Sequence, residues 1–274
     1  MGRIRNRACK PIKPRFGGDM KRTGSRLLAA ALSTAFMTLS IDARICLAQQ
    51  GPTVTPVRTV LALASLPTLV DAPVFFKLAK IQLPAGKSAT YSGPVGFIYV
   101  LSGSMFAQAD IGRHSLRDGD GLLLEAGKAY SLIAGAEAAI FLHFILARAA
   151  ELDHAAPQEP AIVTDLYRTA GPISDLKAGP YEFSLTRVTF PPHMAFNAPH
   201  YRSGAALYYI LSGPGLFRAD AEDALKATGT PHFEPRGWAH QWANDANTPL
   251  VLLQANISEE GVPAVIFGQP PPGR

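Results

Sequence analysis

The chain is predicted to be all-β and built twice on one plan, and three observations carry that expectation. Its apolar residues gather in short alternating runs closed by glycine turns, with little at helical spacing. The same strand ending, Tyr-x-Leu-Ser-Gly, stands at Tyr99 to Gly103 and again at Tyr209 to Gly213. Around those two stretches, one half of the chain repeats residues of the other at a near-constant distance.

The N-terminal part distorts the composition. Of the chain's 26 basic residues, ten fall in 1–48, so the formal charge of +5 misrepresents the remainder, which is slightly acidic. That balance gives no support for nucleic acid as a partner. Lys21, Arg22 and Arg26 precede an apolar run from Leu27 to Leu39, and Cys46-Leu47-Ala48 forms a small-residue cleavage site before Gln49. This is the order of a secretory signal, with Met20 a plausible start. The apolar run is shorter than the ~20 residues that span a bilayer. Residues 1–48 are therefore expected to be removed, leaving a periplasmic or secreted protein with no membrane attachment. Both cysteines, Cys9 and Cys46, would leave with the signal, which excludes thiol chemistry from the mature chain.

Beyond it, the repeat organises the chain. At a distance of 110, nine residues from Tyr99 to Ala129 recur identically within 31 ungapped positions. Arg58-Thr59 and Leu66 return as Arg168-Thr169 and Leu176, and at 107 Pro73, Leu78 and Pro84 return as Pro180, Leu185 and Pro191. Val74 to Leu83 and Tyr181 to Phe190 are long strands rich in β-branched and aromatic residues. Phe97 to Leu101 and Leu207 to Leu211 are strands ending at Ser-Gly turns, and Gly121 to Leu124, Pro231 to Glu234, Ala138 to Leu146 and Leu250 to Ile257 complete the set. This predicts one barrel over 57–147, a linker over 148–165 containing Pro157 and Pro160, a second barrel over 166–257, and a tail over 258–274. Helices are expected to be few and short.

One segment is more specific than the rest: Gly229-x5-Pro235-x-Gly237-x2-His240-x3-Asn244. A strand leads into a Pro-Arg-Gly turn, and a second strand carries His240 back inward. These five positions resemble the second motif of the cupin superfamily, and the doubled plan resembles a bicupin. The resemblance implies two double-stranded β-helix (jelly-roll) barrels in tandem, with homodimers common. It also implies a divalent metal (Fe, Mn, Zn or Ni) held by His-x-His and a Glu from a first motif and by a His from the second.

Carried over residue by residue, that ligand set is incomplete. His200 stands at the first His and His240 at the last, while Arg202 replaces the second His and Ala206 falls at the Glu position. In the N-terminal copy the positions hold Thr90, Ser92, Gly96 and Tyr130, with Glu125 at the motif proline, and no ligand type remains. His193, His232 and Glu234 are the residues that could add a ligand near His200 and His240. Period-two alternation places Arg202 beside His200 and Trp242 beside His240. With Tyr201 and Tyr208 they are expected to line a pocket for a small organic molecule, Arg202 suiting a carboxylate. Gly237 and Asn244 are read as structural. Two functions follow: a small-molecule-binding or structural protein that uses the C-terminal pocket, and a metal-dependent enzyme of dioxygenase or isomerase type acting on a small organic substrate, acidic or not.

Overall fold

The alternation in the sequence becomes nineteen strands among the residues that this computed structural model describes, which are 55–66, 73–110 and 112–271. The expected signal at 1–48 lies outside them. The first half contains β1 (Val57–Leu66), β2 (Val74–Leu83), β3 (Ser88–Tyr91), β4 (Gly96–Ser102), β5 (Ser104–Gln108), β6 (Arg113–Arg117), β7 (Gly121–Leu124), β8 (Tyr130–Ala134) and β9 (Ala139–Arg148). A 3-10 turn (Ala149–His154) and β10 (Ile162–Arg168) follow. The second half contains β11 (Tyr181–Phe190), β12 (His200–Arg202), β13 (Ala205–Ser212), β14 (Pro214–Ala219), β15 (Glu222–Ala227), β16 (Pro231–Glu234), β17 (His240–Ala243), β18 (Leu250–Glu259) and β19 (Val265–Phe267). Among the described residues no helix is long and apolar enough to cross a membrane.

Each barrel is a pair of antiparallel sheets. One pairs β10-β2-β9-β4-β7 with β3-β8-β5-β6, and the other pairs β1-β11-β18-β13-β16 with β15-β14-β17-β12-β19. The fold is thus the tandem jelly roll that the sequence predicts. Three apolar layers hold it. Ile81, Ile98, Leu124 and Leu132 fill the first barrel, and Val188, Phe190, Phe217 and Trp242 the second. Between the barrels, Phe76, Phe97, Phe144, Phe183, Leu207 and Leu253 pack the two five-stranded sheets together. Strands covered on both faces need apolar residues at nearly every position, which is why β9 reads Ala-Ile-Phe-Leu-His-Phe-Ile-Leu-Ala-Arg and loses its alternation.

The structure corrects the boundaries drawn from the sequence. β1 does not join the first barrel but pairs with β11, and β10, which the predicted bounds divide between the linker and the second barrel, pairs with β2 of the first barrel. The two halves therefore exchange their leading strands. Both exchanged strands carry a bulge, between Val60 and Ala62 and between Asp165 and Tyr167, so their true offset is 105. The likeness of Arg58-Thr59 to Arg168-Thr169 is not structural. The predicted tail also contributes, because β19 pairs with β12 beside the predicted metal site. Local pattern identifies a strand but cannot reveal which sheet it joins, since partner choice is a long-range property.

Candidate functional site

The second-motif hairpin forms as its residues dictate. Gly237 turns at φ +71°, and Asn244, fully buried, donates to the carbonyls of Phe190, Pro191 and Thr248 at 2.9–3.1 Å. Both are structural, as expected. The turn places His240 on β17 directly opposite His200 on β12, with ring centroids 4.3 Å apart. Each imidazole sets its Nδ1 against a carbonyl two residues earlier, Ala198 at 3.0 Å and Trp238 at 2.8 Å. A carbonyl only accepts, so both Nδ1 atoms carry the proton and both Nε2 atoms face the interior.

Alternation puts Arg202 on the face of His200, and Trp242 on the face of His240, as the sequence predicts. What occupies the centre is Glu234. Its Oε2 accepts from Arg202 Nε at 2.8 Å and lies 3.1 Å from His240 Nε2, a hydrogen bond once that nitrogen is protonated. Its Oε1 accepts from Trp242 Nε1 at 2.9 Å. Arg202 and Glu234 are 1% and 0% exposed. Burial pushes the Glu234 carboxyl upward, but Arg202 and His240 together outweigh it and hold the group well below its ordinary range. Burial lowers the Arg202 guanidinium, and Glu234 opposes the shift. Arg202 Nη2 also meets the hydroxyl of Tyr208 and, at 3.4 Å, Oε1 of Gln254.

The position of Glu234 has a simple origin. Ala206, where the family resemblance puts the carboxylate, is the direct cross-strand partner of Glu234. The carboxylate stands on β16, across the ladder from the β13 position where the resemblance puts one, and the alanine leaves it room. A further participant was not legible in the sequence. Arg58 of β1 reaches in through the exchanged strand and donates from Nη1 to Gln254 Oε1 at 3.1 Å. No spacing along the chain signals this, because Arg58 and Gln254 meet only through strand exchange.

The other predicted residues separate. His232 is buried against Phe217, ring centroids 4.4 Å apart, with its Nε2 unpartnered. Burial pushes it down to about 4, and His200 likewise to about 4, by burial and then by His240. His193 stands on an exposed turn at φ +56° and does not reach the site. Tyr201 alternates away from Arg202, so it does not share the interior with Tyr208 and Trp242. It lines a cleft of about 640 Å³ on the outside of the barrel with Asp175, Lys177, Arg236 and Glu259, and Arg202 forms part of the cleft's floor as well as of the interior. The interior space between Arg58, His200, Arg202, Tyr208, Trp242 and Gln254 amounts to about 200 Å³ of interstices, with no room for a water molecule. The single pocket expected from the sequence is therefore a filled interior and an outer cleft, with Arg202 lining both.

A divalent ion does not fit the interior donor set. Arg202 offers no lone pair, and it stands where a second histidine would be needed. Both oxygens of Glu234 are engaged, and among the described residues no three His, Cys, Asp or Glu side chains are placed to hold a metal. At about 4 Å from the guanidinium, in an effective dielectric of about 20, a divalent ion would be repelled by on the order of 8 kcal/mol. Two inward imidazoles do not offset that.

The first barrel has a different interior, and the structure shifts its alignment by one residue. Tyr91 pairs with Tyr130 as His200 pairs with His240, so Tyr91, rather than Thr90, is the counterpart of His200, and Gly93, rather than Ser92, that of Arg202. Leu124 stands at the place of Glu234, and His143 at that of Gln254. His143 is fully buried, with neither ring nitrogen hydrogen-bonded, and burial followed by Lys77 pushes it down to about 3.

Comparison with known proteins bears on the fold. No family model matches the sequence, and no curated protein does. Among solved structures, a tryptophan-to-tyrosine variant of oxalate decarboxylase from Bacillus subtilis is similar at TM-score 0.52 and 14% identity, over 76% of this chain and 80% of that one. AerE from Microcystis aeruginosa is similar at TM-score 0.49 and 17% identity, over 75% and 98%. A cupin 2 conserved barrel domain protein from Leptotrichia buccalis is similar at TM-score 0.42 and 17% identity, over 77% and 99%. At such identities the likeness concerns the cupin fold and not the chemistry performed on it.

Proposed function

We propose that this chain is an exported, non-catalytic cupin-fold protein that binds a small organic acid in the outer cleft of its C-terminal barrel. The observation that carries the reading is the buried Arg202–Glu234 pair. It fills the place where a metal-dependent cupin would hold its ion and substrate, so binding is left to the cleft. There Tyr201 offers an aromatic wall and Lys177 a cation for a carboxylate, while Arg236, paired with Glu259 at 3.4 Å, offers the remaining donors of its fork, and Asp175 and Glu259 give the cleft an acidic edge. Arg236 belongs to the Pro-Arg-Gly turn of the second motif, so the hairpin that brings His240 inward also presents a cation outward. Export is supported by the basic, apolar and small-residue order of 1–48.

A thermal-shift screen of small mono- and dicarboxylic acids tests the binding reading. At least one acid should stabilise the wild type, and Tyr201→Ala and Arg236→Ala should each remove that shift while leaving the unliganded melting temperature within a few degrees. Turnover of a small acid by the purified protein, dependent on added metal and lost in His240→Ala, would overturn it in favour of the enzyme. Sequencing the N-terminus of exported protein should find Gln49 first.

A further inference from the structure

The charges of the outer cleft balance, and the balance restricts what it can hold. Asp175, Lys177, Arg236 and Glu259 bring two anions and two cations to its wall. The charge of Arg202 at its floor is already met by Glu234 on the interior side. A ligand carrying only a carboxylate meets as many anions as cations there, and gains little net attraction. Arg236 is engaged within the wall. Its Nη1 donates to the carbonyl of Asp175, and its Nη2 stands 3.4 Å from Oε1 of Glu259. Two buried atoms at the same place lack a hydrogen-bond partner among the described residues. Ser203, 6% exposed, leaves its Oγ unmatched, and the contact of Glu259 Oε1 with Arg236 is outside hydrogen-bond geometry. Buried polar groups are nearly always satisfied, so each calls for a partner that the chain does not supply. They call for opposite ones. The hydroxyl can donate to a carboxylate, whereas the Glu259 oxygen can only accept.

Resting on the reading that this cleft binds a small acid, we infer that its ligand is a zwitterion, a free α-amino acid with an apolar side chain. The carboxylate lies toward Lys177 and the Ser203 hydroxyl, and the ammonium toward Glu259 and Asp175. Both ends are then matched, and each unpartnered atom receives a group of the kind it needs. Asp175 sits in the left-handed region at φ +59°, and the bond from Arg236 to its carbonyl fixes the backbone from which its carboxylate projects. The ring of Tyr201 with Leu176, Val262 and Ile266 gives an apolar wall for the side chain, and about 640 Å³ is ample for one.

Calorimetric titration of the purified protein compares phenylalanine with phenylpropionate, which lacks the ammonium, and with phenylethylamine, which lacks the carboxylate. Leucine, isocaproate and isoamylamine form a second set. At least one of the two amino acids should bind about 10-fold or more tighter than either of its truncated relatives, the worth of one hydrogen bond to a charged group. Asp175→Asn and Glu259→Gln should each weaken the amino acid several-fold and leave the acid as tight or tighter. Asparagine tolerates positive φ, so the first variant preserves the loop. Ser203→Ala should weaken amino acid and acid alike. An acid or an amine that binds as tightly as its amino acid would overturn this inference alone. So would the failure of both amino acids to bind while a simple acid stabilises the protein. If no acid binds, amino acids included, the acid-binding reading falls with it. Amino-acid affinity unchanged in Asp175→Asn/Glu259→Gln, folded by circular dichroism, would equally overturn the inference. Should Glu259→Gln fail to fold, Asp175→Asn by itself makes the same test.

Discussion

Breaking the Arg202–Glu234 pair from either side should be costly, whereas removing both partners should cost much less than the sum. Both side chains are essentially inaccessible to solvent, so the pair needs no discount for screening. Glu234→Gln keeps an oxygen for Trp242 but turns an amide donor toward Arg202 and His240, leaving a buried cation without its anion. Removing one member of such a pair costs about 3–5 kcal/mol. For a body of this size each kcal/mol is about 2–4 °C, so the melting temperature should fall by roughly 6–20 °C. Arg202→Met strands Glu234 instead, and His240 and Trp242 soften the loss, so its cost should fall at the lower end. In Arg202→Met/Glu234→Gln no unpaired charge remains, and the coupling between the sites should reach about 2 kcal/mol or more. Urea unfolding followed by tryptophan fluorescence is the natural assay, because Trp238 and Trp242, the chain's two tryptophans, both lie in this barrel. Single losses below about 1 kcal/mol that add within about 0.5 kcal/mol would refute the claim that the network organises the interior.

Further predictions test the rest of the structure. His143, His200 and His232 are held below their ordinary 6.5, at about 3, 4 and 4, so the unfolded chain binds more protons than the native one as pH falls from about 6.5 toward 4. Stability should therefore decline across that window, by up to ~1.4 kcal/mol per pH unit for each histidine. Glu234, depressed in the folded state, adds a loss of the same sign below its ordinary 4.5. A flat unfolding midpoint between pH 7 and pH 4.5 would contradict the buried, neutral histidines. His143→Leu exchanges an unsatisfied ring for an apolar side chain and should leave stability unchanged or raised in urea titrations, whereas a loss above about 2 kcal/mol would mean the ring has a partner. Gly96→Ala places a Cβ 2.6 Å from Phe144 O and 2.8 Å from His143 Nε2, so it should cost about 1–3 kcal/mol by the same measurement.

The sequence by itself determined that the chain is all-β, that it is doubled, and where most strands run. Val74–Leu83 and Tyr181–Phe190 have the predicted limits, because β-branched and aromatic residues closed by prolines mark a strand locally. It also placed His200, Arg202, His240 and Trp242 on shared faces, since alternation is a local rule. Only the tertiary structure decided which strands exchange, that Glu234 rather than a residue at Ala206 provides the carboxylate, and that Arg58 enters the second barrel. It also decided that Tyr201 faces the outer cleft and not the barrel interior. These outcomes depend on which strand lies across the ladder from which, and that is fixed by sheet register and loop closure over distances of up to 196 residues, as between Arg58 and Gln254. From the sequence, His200 and His240 were half of a metal site. In the fold they frame a cation that belongs to the chain itself.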